Sequence, residues 1–316
     1  MARKQPPDQP RFEQAPHAGG FDHLVAGLAG LELKLPKFVC GTLCAAAGIG
    51  IGMRFQAESD TGVIRNAVVL DGVPRLVPIA SGKGHDAAIT IAQARALDLA
   101  LEATQVMARG DIEAALAAAP RRLQASFAIG GQDHFYLEGQ VALATPREGG
   151  DVHVWSSTQH PSEVQHLVAK VLGAPHTSVT IEVRRMGGGF GGKETQASLF
   201  AAAAALVAVK TGRPAKARPD RDEDMVMTGK RHDFTADVDV GFTEDGVLTA
   251  ASLELASRCG CSTDLSPAIN DRAMFHADNC YFLPAVKILS HRFKTHTVSN
   301  TAFRGFGGPQ GMLAIE

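Results

Sequence analysis

A chain of 316 residues, 45% hydrophobic and 20% charged, is long enough for two or three domain-sized cores and has the composition of an ordinary globular protein. Its net charge of -2 gives no basic field for nucleic acid or an anionic membrane, and 6% aromatics with a single Trp155 leave little for a base-stacking surface. The five cysteines (Cys40, Cys44, Cys259, Cys261 and Cys280) fit neither a disulfide framework nor a four-thiolate iron–sulfur site, and read as reduced, mostly buried thiols of a cytoplasmic protein.

The start of the chain is polar and proline-rich and leads into no apolar signal core. Residues 24–52 are apolar but broken by Glu32, Lys34, Pro36, Lys37 and several glycines. Residues 199–209 fall short of the roughly 20 a bilayer crossing needs, so both stretches are expected to be core. Residues 1–84 hold no persistent period beyond two short strands expected around Asp71-Gly72, within 64–79. Residues 88–103 are alanine-rich and predict a helix. A second, short helix is expected over 111–119, capped by Asp111 and closed by Pro120.

The pattern is clearest from 151 to 212. Residues 152–155 alternate as a strand. Pro161, Ser162 and Glu163 then open a helix whose apolar face is Val164, Leu167, Val168, Val171 and Leu172, and Gly173 ends it. Val179, Ile181 and Val183 alternate as a second strand, followed by the glycine run 187–192 and an alanine-rich helix from about 195 to 210. Parallel pairing of the two strands would bring their carboxyl ends to one sheet edge, where ligands of such sheets bind. Gln159 and the glycine loop are therefore expected to share a site. Farther on, 234–242 and 247–255 predict an antiparallel hairpin about the turn 243–246, and a second glycine-rich loop spans 304–309.

Gly187, Gly192 and Lys193 match most of a phosphate-binding P-loop, but Glu194 stands where Ser or Thr must hold magnesium and would repel phosphate. Converging backbone N–H groups at a helix start can still cradle another anionic or oxo-rich group. A tight strand-to-helix connection is the plainer alternative, although five glycines in six positions exceed its needs. Asp133, His134 and Glu138 fit no metal-ligand spacing and read as a structural polar cluster. Taken singly, Gln159 reads as a solvated loop residue and Arg272 as part of a surface turn. Arg304, between Phe303 and Phe306, reads as a buried cation in need of a partner.

Five segments in order, 130–138 (GGQDHFYLE), 157–160 (STQH), 185–195 (RMGGGFGGKET), 220–225 (DRDEDM) and 300–310 (NTAFRGFGGPQ), resemble the molybdopterin-binding domain of the xanthine dehydrogenase/aldehyde oxidase family. The resemblance is strong from about residue 107, faint over 86–105 and not visible before that. It implies an α/β (α+β) fold with mixed sheets around the strand–helix–strand–glycine loop–helix unit. Residues 1–84 are unassigned, 85–128 are linker and helices from the end of a small α/β domain, and 129–316 are a first molybdopterin-binding domain incomplete at its C-terminus.

By the same resemblance, Gln159, Phe190, Gly191 and Arg304 lie at a molybdenum–molybdopterin centre. Glu194 and Arg272 hold a purine substrate, acting as catalytic groups, and Phe303 and Phe306 sandwich its ring. Aldehyde oxidases typically carry apolar residues where Glu194 and Arg272 stand, which favours xanthine and hypoxanthine as substrates. The implied reaction is hydroxylation with water as oxygen source. Its general-base glutamate lies in a further domain beyond Glu316, and iron–sulfur clusters and FAD are carried by a partner subunit. The expectation is thus a truncated or split gene product, inactive alone. A non-catalytic remnant that binds a partner subunit is the alternative.

Overall fold

In the computed structural model, the structure describes residues 88–316 and the strands β1 (Val68–Leu70) and β2 (Val73–Arg75). β1 and β2 pair antiparallel, as expected around Asp71-Gly72. The remaining expectations for 1–84 lie outside the described residues.

Two sheets carry the rest of the described residues. The four-stranded sheet has the order β7 (Val179–Glu182), β6 (Val152–Ser156), β5 (Ala142–Pro146) and β8 (Ala215–Ala217). β6 and β7 pair in parallel, as the sequence unit between them predicts. Their crossover is α3 (Pro161–Leu172), with Pro161 at its first turn and Gly173 closing it at a left-handed φ of 64°. α4 (Ala197–Thr211) packs beside α3 and buries nearly its whole circumference, which its run of alanines permits by letting backbones approach. Val152, Val154, Val164, Val168, Phe200 and Ala204 form the core between helices and sheet.

The five-stranded sheet has the order β3 (Gln105–Arg109), β11 (Ala285–Lys294), β10 (Leu248–Gly260), β9 (Phe234–Phe242) and β4 (Arg121–Ile129). The hairpin β9–β10 is antiparallel as expected, and β10–β11 is parallel. α6 (Ser266–Phe275) and α7 (Gly308–Ile315) cover one face, burying Leu253, Leu255, Phe234, Ile288 and Met274. α1 (Ile91–Ala96) and α2 (Ile112–Ala118) cover the two ends of the other face, through Ala256 with Phe293 and Ala250 with Ala285 respectively.

Four expectations are corrected. The helix over 88–103 is only α1, because Asp98 takes a φ of 51° and the next residues leave to pair with β11: Lys294 N donates to Leu99 O and Leu101 N to Arg292 O. Residues 105–109 and 121–128, read within a stretch of linker and helices, lie in edge strands of the five-stranded sheet. Arg272 lies within α6 rather than in a surface turn. Of the described cysteines only Cys259 is buried, while Cys261 and Cys280 are exposed. Asp111 caps α2 as expected, its carboxylate accepting from Ala114 N at 3.1 Å. Among the described residues no helix is long and apolar enough to cross a membrane.

Candidate functional site

The first glycine loop runs from the end of β7 into α4, and Gln159 follows β6, so the topology delivers both to one edge. Gln159 Oε1 accepts from Gly191 N at 2.8 Å and Lys193 N at 3.2 Å, and its own backbone N–H donates to Lys193 O at 2.8 Å. That leaves the Gln159 side-chain NH2 without an acceptor among the described residues. The approach needs a glycine at 189, since a Cβ there would sit 2.5 Å from Gln159 Oε1.

The second glycine-rich turn meets the first. Arg304 N donates to Phe190 O at 2.9 Å. Gly191, at a φ of 99°, lies so close to the Ala302 carbonyl that a Cβ would be 2.7 Å from it. Phe190 itself takes a φ of 51°, rare for a bulky residue, and is 47% exposed. Its N–H and those of Gly188 and Gly189 have no acceptor among the described residues.

Behind this edge a buried polar network fixes the first loop. Glu138 Oε2 accepts from Gly187 N at 2.7 Å and from Ser157 Oγ at 2.8 Å. Lys193, fully buried, donates to Glu138 O and Ser157 Oγ at 2.7 and 2.8 Å and lies over the Tyr136 ring. Burial pushes the Lys193 ammonium below its ordinary range despite the charge of Glu138. Burial also works to raise Glu138, but hydrogen bonds from Gly187 and Ser157 and the charge of Lys193 prevail and hold it low. A lysine so engaged is turned away from any phosphate at the loop, which removes the P-loop reading. Gln140 ties the far end of the loop, donating to Gly192 O at 2.9 Å and to Tyr136 Oη, while Asp224 accepts from Tyr136 Oη at 2.8 Å.

The polar cluster expected around His134 is structural, with its members apart. His134 Nε2 donates to Ala302 O at 2.6 Å and its ring packs against Gly192, so it clamps the two glycine turns together. Asp133 pairs with Lys230 at 3.0 Å. Burial first, then the charges of Lys230 and Arg231, keep His134 below its ordinary value and neutral.

Glu194 is half-buried at the entry to α4. Burial raises its carboxyl above the usual range, opposed by His160 and assisted by Asp264. Asp264 is a hub that the sequence did not announce. Its carboxylate accepts from Thr195 Oγ1, Gln196 Nε2, Thr301 Oγ1 and Leu265 N at 2.6–2.9 Å, joining the residues after Glu194, those before Phe303 and the start of α6. Burial pushes its carboxyl up against these four donors.

Arg272 is exposed on α6, and its guanidinium makes no hydrogen bond or ion pair among the described residues. Gly307 and Gly311 pack directly on the α6 backbone at Ile269 and Ala273, which joins the second glycine turn to the helix that carries Arg272. Arg304 is exposed, contrary to the expectation of burial. The buried arginine of this region is Arg231, 7% exposed, with its guanidinium 4.0 Å from the Phe303 ring centroid. Phe306 is half-buried at a φ of 49°.

Three consecutive free backbone donors, the free amide of Gln159 and the exposed guanidinium of Arg304 make a donor-rich edge. Such a set fits an anionic, oxygen-rich group, brought close by glycines whose side chains would collide with the scaffold.

The model of the molybdopterin cofactor-binding domain matches residues 99–316. Xanthine dehydrogenase of Drosophila pseudoobscura pseudoobscura is 48% identical over 66% of this chain and 16% of its own length. Xanthine dehydrogenase/oxidase of Felis catus is 45% identical over 90% of this chain and 22% of its own, an alignment that must run into residues 1–84, where the sequence motifs give no resemblance. The chain thus spans about a fifth of the length of these relatives. Among solved structures, the aldehyde oxidoreductase of Desulfovibrio gigas superposes with a TM-score of 0.65 at 25% identity, over 73% of this chain and 26% of that one. Quinoline 2-oxidoreductase of Pseudomonas putida 86 shares the fold with a TM-score of 0.58 at 23% identity, over 65% and 26%. The chain belongs to the molybdopterin cofactor-binding domain family.

Proposed function

We propose that this chain forms the first part of the molybdenum-cofactor site of a hydroxylase that oxidises xanthine or hypoxanthine, with water as the oxygen source. The observation that carries the reading is the junction of the two glycine turns, where Gln159, Phe190, Gly191 and Arg304 converge through the hydrogen bonds at Gly191 N and Phe190 O. When bound, the molybdenum–pterin group supplies the redox chemistry. The chain's residues position it: Gln159 offers its amide NH2, the 188–190 backbone offers N–H donors, and Arg304 offers positive charge.

The purine would lie between Glu194 and Arg272, which meet its polar edges, and beside Phe303 and Phe306, which meet its ring. Burial raises the proton affinity of Glu194, and its carboxyl group offers oxygens to the polar edge of the ring. The names of the relatives support a purine over an aldehyde. The reading places the general base, the iron–sulfur clusters and FAD on further domains or a partner subunit. It assigns 129–316 to the first cofactor-binding domain, and the enzyme to the cytoplasm.

The test is turnover of xanthine and of an aromatic aldehyde by the natural protein in isotopically labelled water. Label in urate, with the aldehyde a poor substrate, is the expected result. A preference for the aldehyde would overturn the substrate assignment.

A further inference from the structure

The two buried arginines among the described residues are treated differently. Arg292, 3% exposed, is ion-paired with both Glu102 and Asp271. Arg231 has no carboxylate within ion-pair range among the described residues, and burial alone lowers its proton affinity. A buried, uncompensated cation is destabilising, and one that serves only to fill the core is normally given a counter-charge.

What Arg231 does have is a set of contacts converging on one turn. Nη2 donates to Arg304 O at 2.6 Å, and Nε donates to Gln132 Oε1 at 2.7 Å. The guanidinium lies over Phe303, whose ring also packs against His134 at 4.8 Å between centroids. Its own backbone is fixed by Arg231 N donating to Gln132 O and by the close approach of Gly131 to Arg231 O. Nη1 is buried with no acceptor among the described residues.

We propose that Arg231 is the positioning residue of the second glycine-rich turn: its planar fork sets the Arg304 backbone while its face sets the Phe303 ring. Lysine cannot do both, because a point cation lacks the fork and the flat face. The consequence for substrate rests on the function proposed above. Phe303 held in one orientation presents a fixed aromatic surface, so loss of Arg231 weakens the purine complex while the cofactor, anchored by the first loop and Gln159, stays.

The test uses the natural protein labelled with 4-fluorophenylalanine, the Phe303 fluorine line being assigned by its absence in Phe303→Leu. Arg231→Gln is expected to shift and broaden that line while urea unfolding remains cooperative. Arg231→Lys should restore it only in part, and Gln132→Ala, which frees Nε, should give an intermediate change. In turnover, Arg231→Lys should raise KM for xanthine by about tenfold with little change in kcat and unchanged molybdenum content. If Arg231→Gln does not fold, the lysine and Gln132→Ala variants carry the same comparison. A Phe303 line unmoved in every folded variant would overturn the proposal. Because the fluorine signal needs neither cofactor nor substrate, failure of the wild-type protein to oxidise xanthine would count against the functional reading alone.

Discussion

The amide of Arg304 donates to the carbonyl of Phe190 at 2.9 Å, so two glycine-rich turns far apart in the sequence share one hydrogen bond. The contact depends on Gly191, whose missing Cβ admits the Ala302 carbonyl and whose positive φ other residues rarely adopt. Gly191→Ala should destabilise the protein by about 1–3 kcal/mol and lower its molybdenum content. Urea unfolding and metal analysis of the same preparation check both. Full molybdenum retention in the variant would show that the junction does not shape the cofactor site.

The buried pair Lys193–Glu138 should respond asymmetrically. Removing the carboxylate charge with Glu138→Gln strands a fully buried ammonium and should cost about 3–5 kcal/mol. Lys193→Met leaves Glu138, which is partly exposed and still bonded by Gly187 N and Ser157, and should cost clearly less. Equal losses in chemical denaturation would contradict the network as described.

Much of this was legible in the sequence, and the reason is locality. Pro161, the apolar face from Val164 to Leu172 and Gly173 specify α3 within one stretch of chain, and the flanking alternations specify β6 and β7. Short crossover topology then placed Gln159 beside the glycine loop. What escaped was non-local or unpatterned. β4 is an edge strand exposed along most of its length, so no inside–outside alternation marks it, and its partner β9 is remote in sequence. α6 carries no clear apolar stripe, and Asn270-Asp271-Arg272 within it resembles a turn until Asn270 is seen bonding back to Ser266 O. Asp264 and Arg231 act through partners distant in the chain, which single-residue reading does not connect.

Acid should destabilise the fold through histidines held neutral. His232 is buried, with Nε2 against Ser266 Oγ at 2.7 Å, and burial pushes its value from 6.5 to about 3. Between those values the unfolded chain binds a proton that the native chain does not. The stabilisation is therefore fully present above pH 6.5 and is lost as pH falls toward 3. His134 acts in the same direction through its lowered value. The loss due to His232 is on the order of 3–5 kcal/mol, and His232→Gln should flatten the acid limb of a stability–pH curve. An unchanged limb would mean that other groups govern it.

Glu194→Gln and Arg272→Met separate substrate binding from cofactor binding. Each should lower kcat/KM for xanthine by about 100-fold or more, because a site built on hydrogen bonds loses most when one partner goes. Molybdenum content should stay at the wild-type level. Xanthine turnover that survives both changes would remove these two residues from the substrate site.

The most direct test of the whole account is the molybdenum and pterin content of the natural protein, purified from cells that make the cofactor. Stoichiometric molybdenum and pterin in the wild type, lost in Gly191→Ala while the variant remains folded, is the predicted result. Wild-type protein that is folded but free of both, under conditions where a known molybdenum hydroxylase is loaded, would contradict the central claim that the two glycine turns and Gln159 form a cofactor cradle.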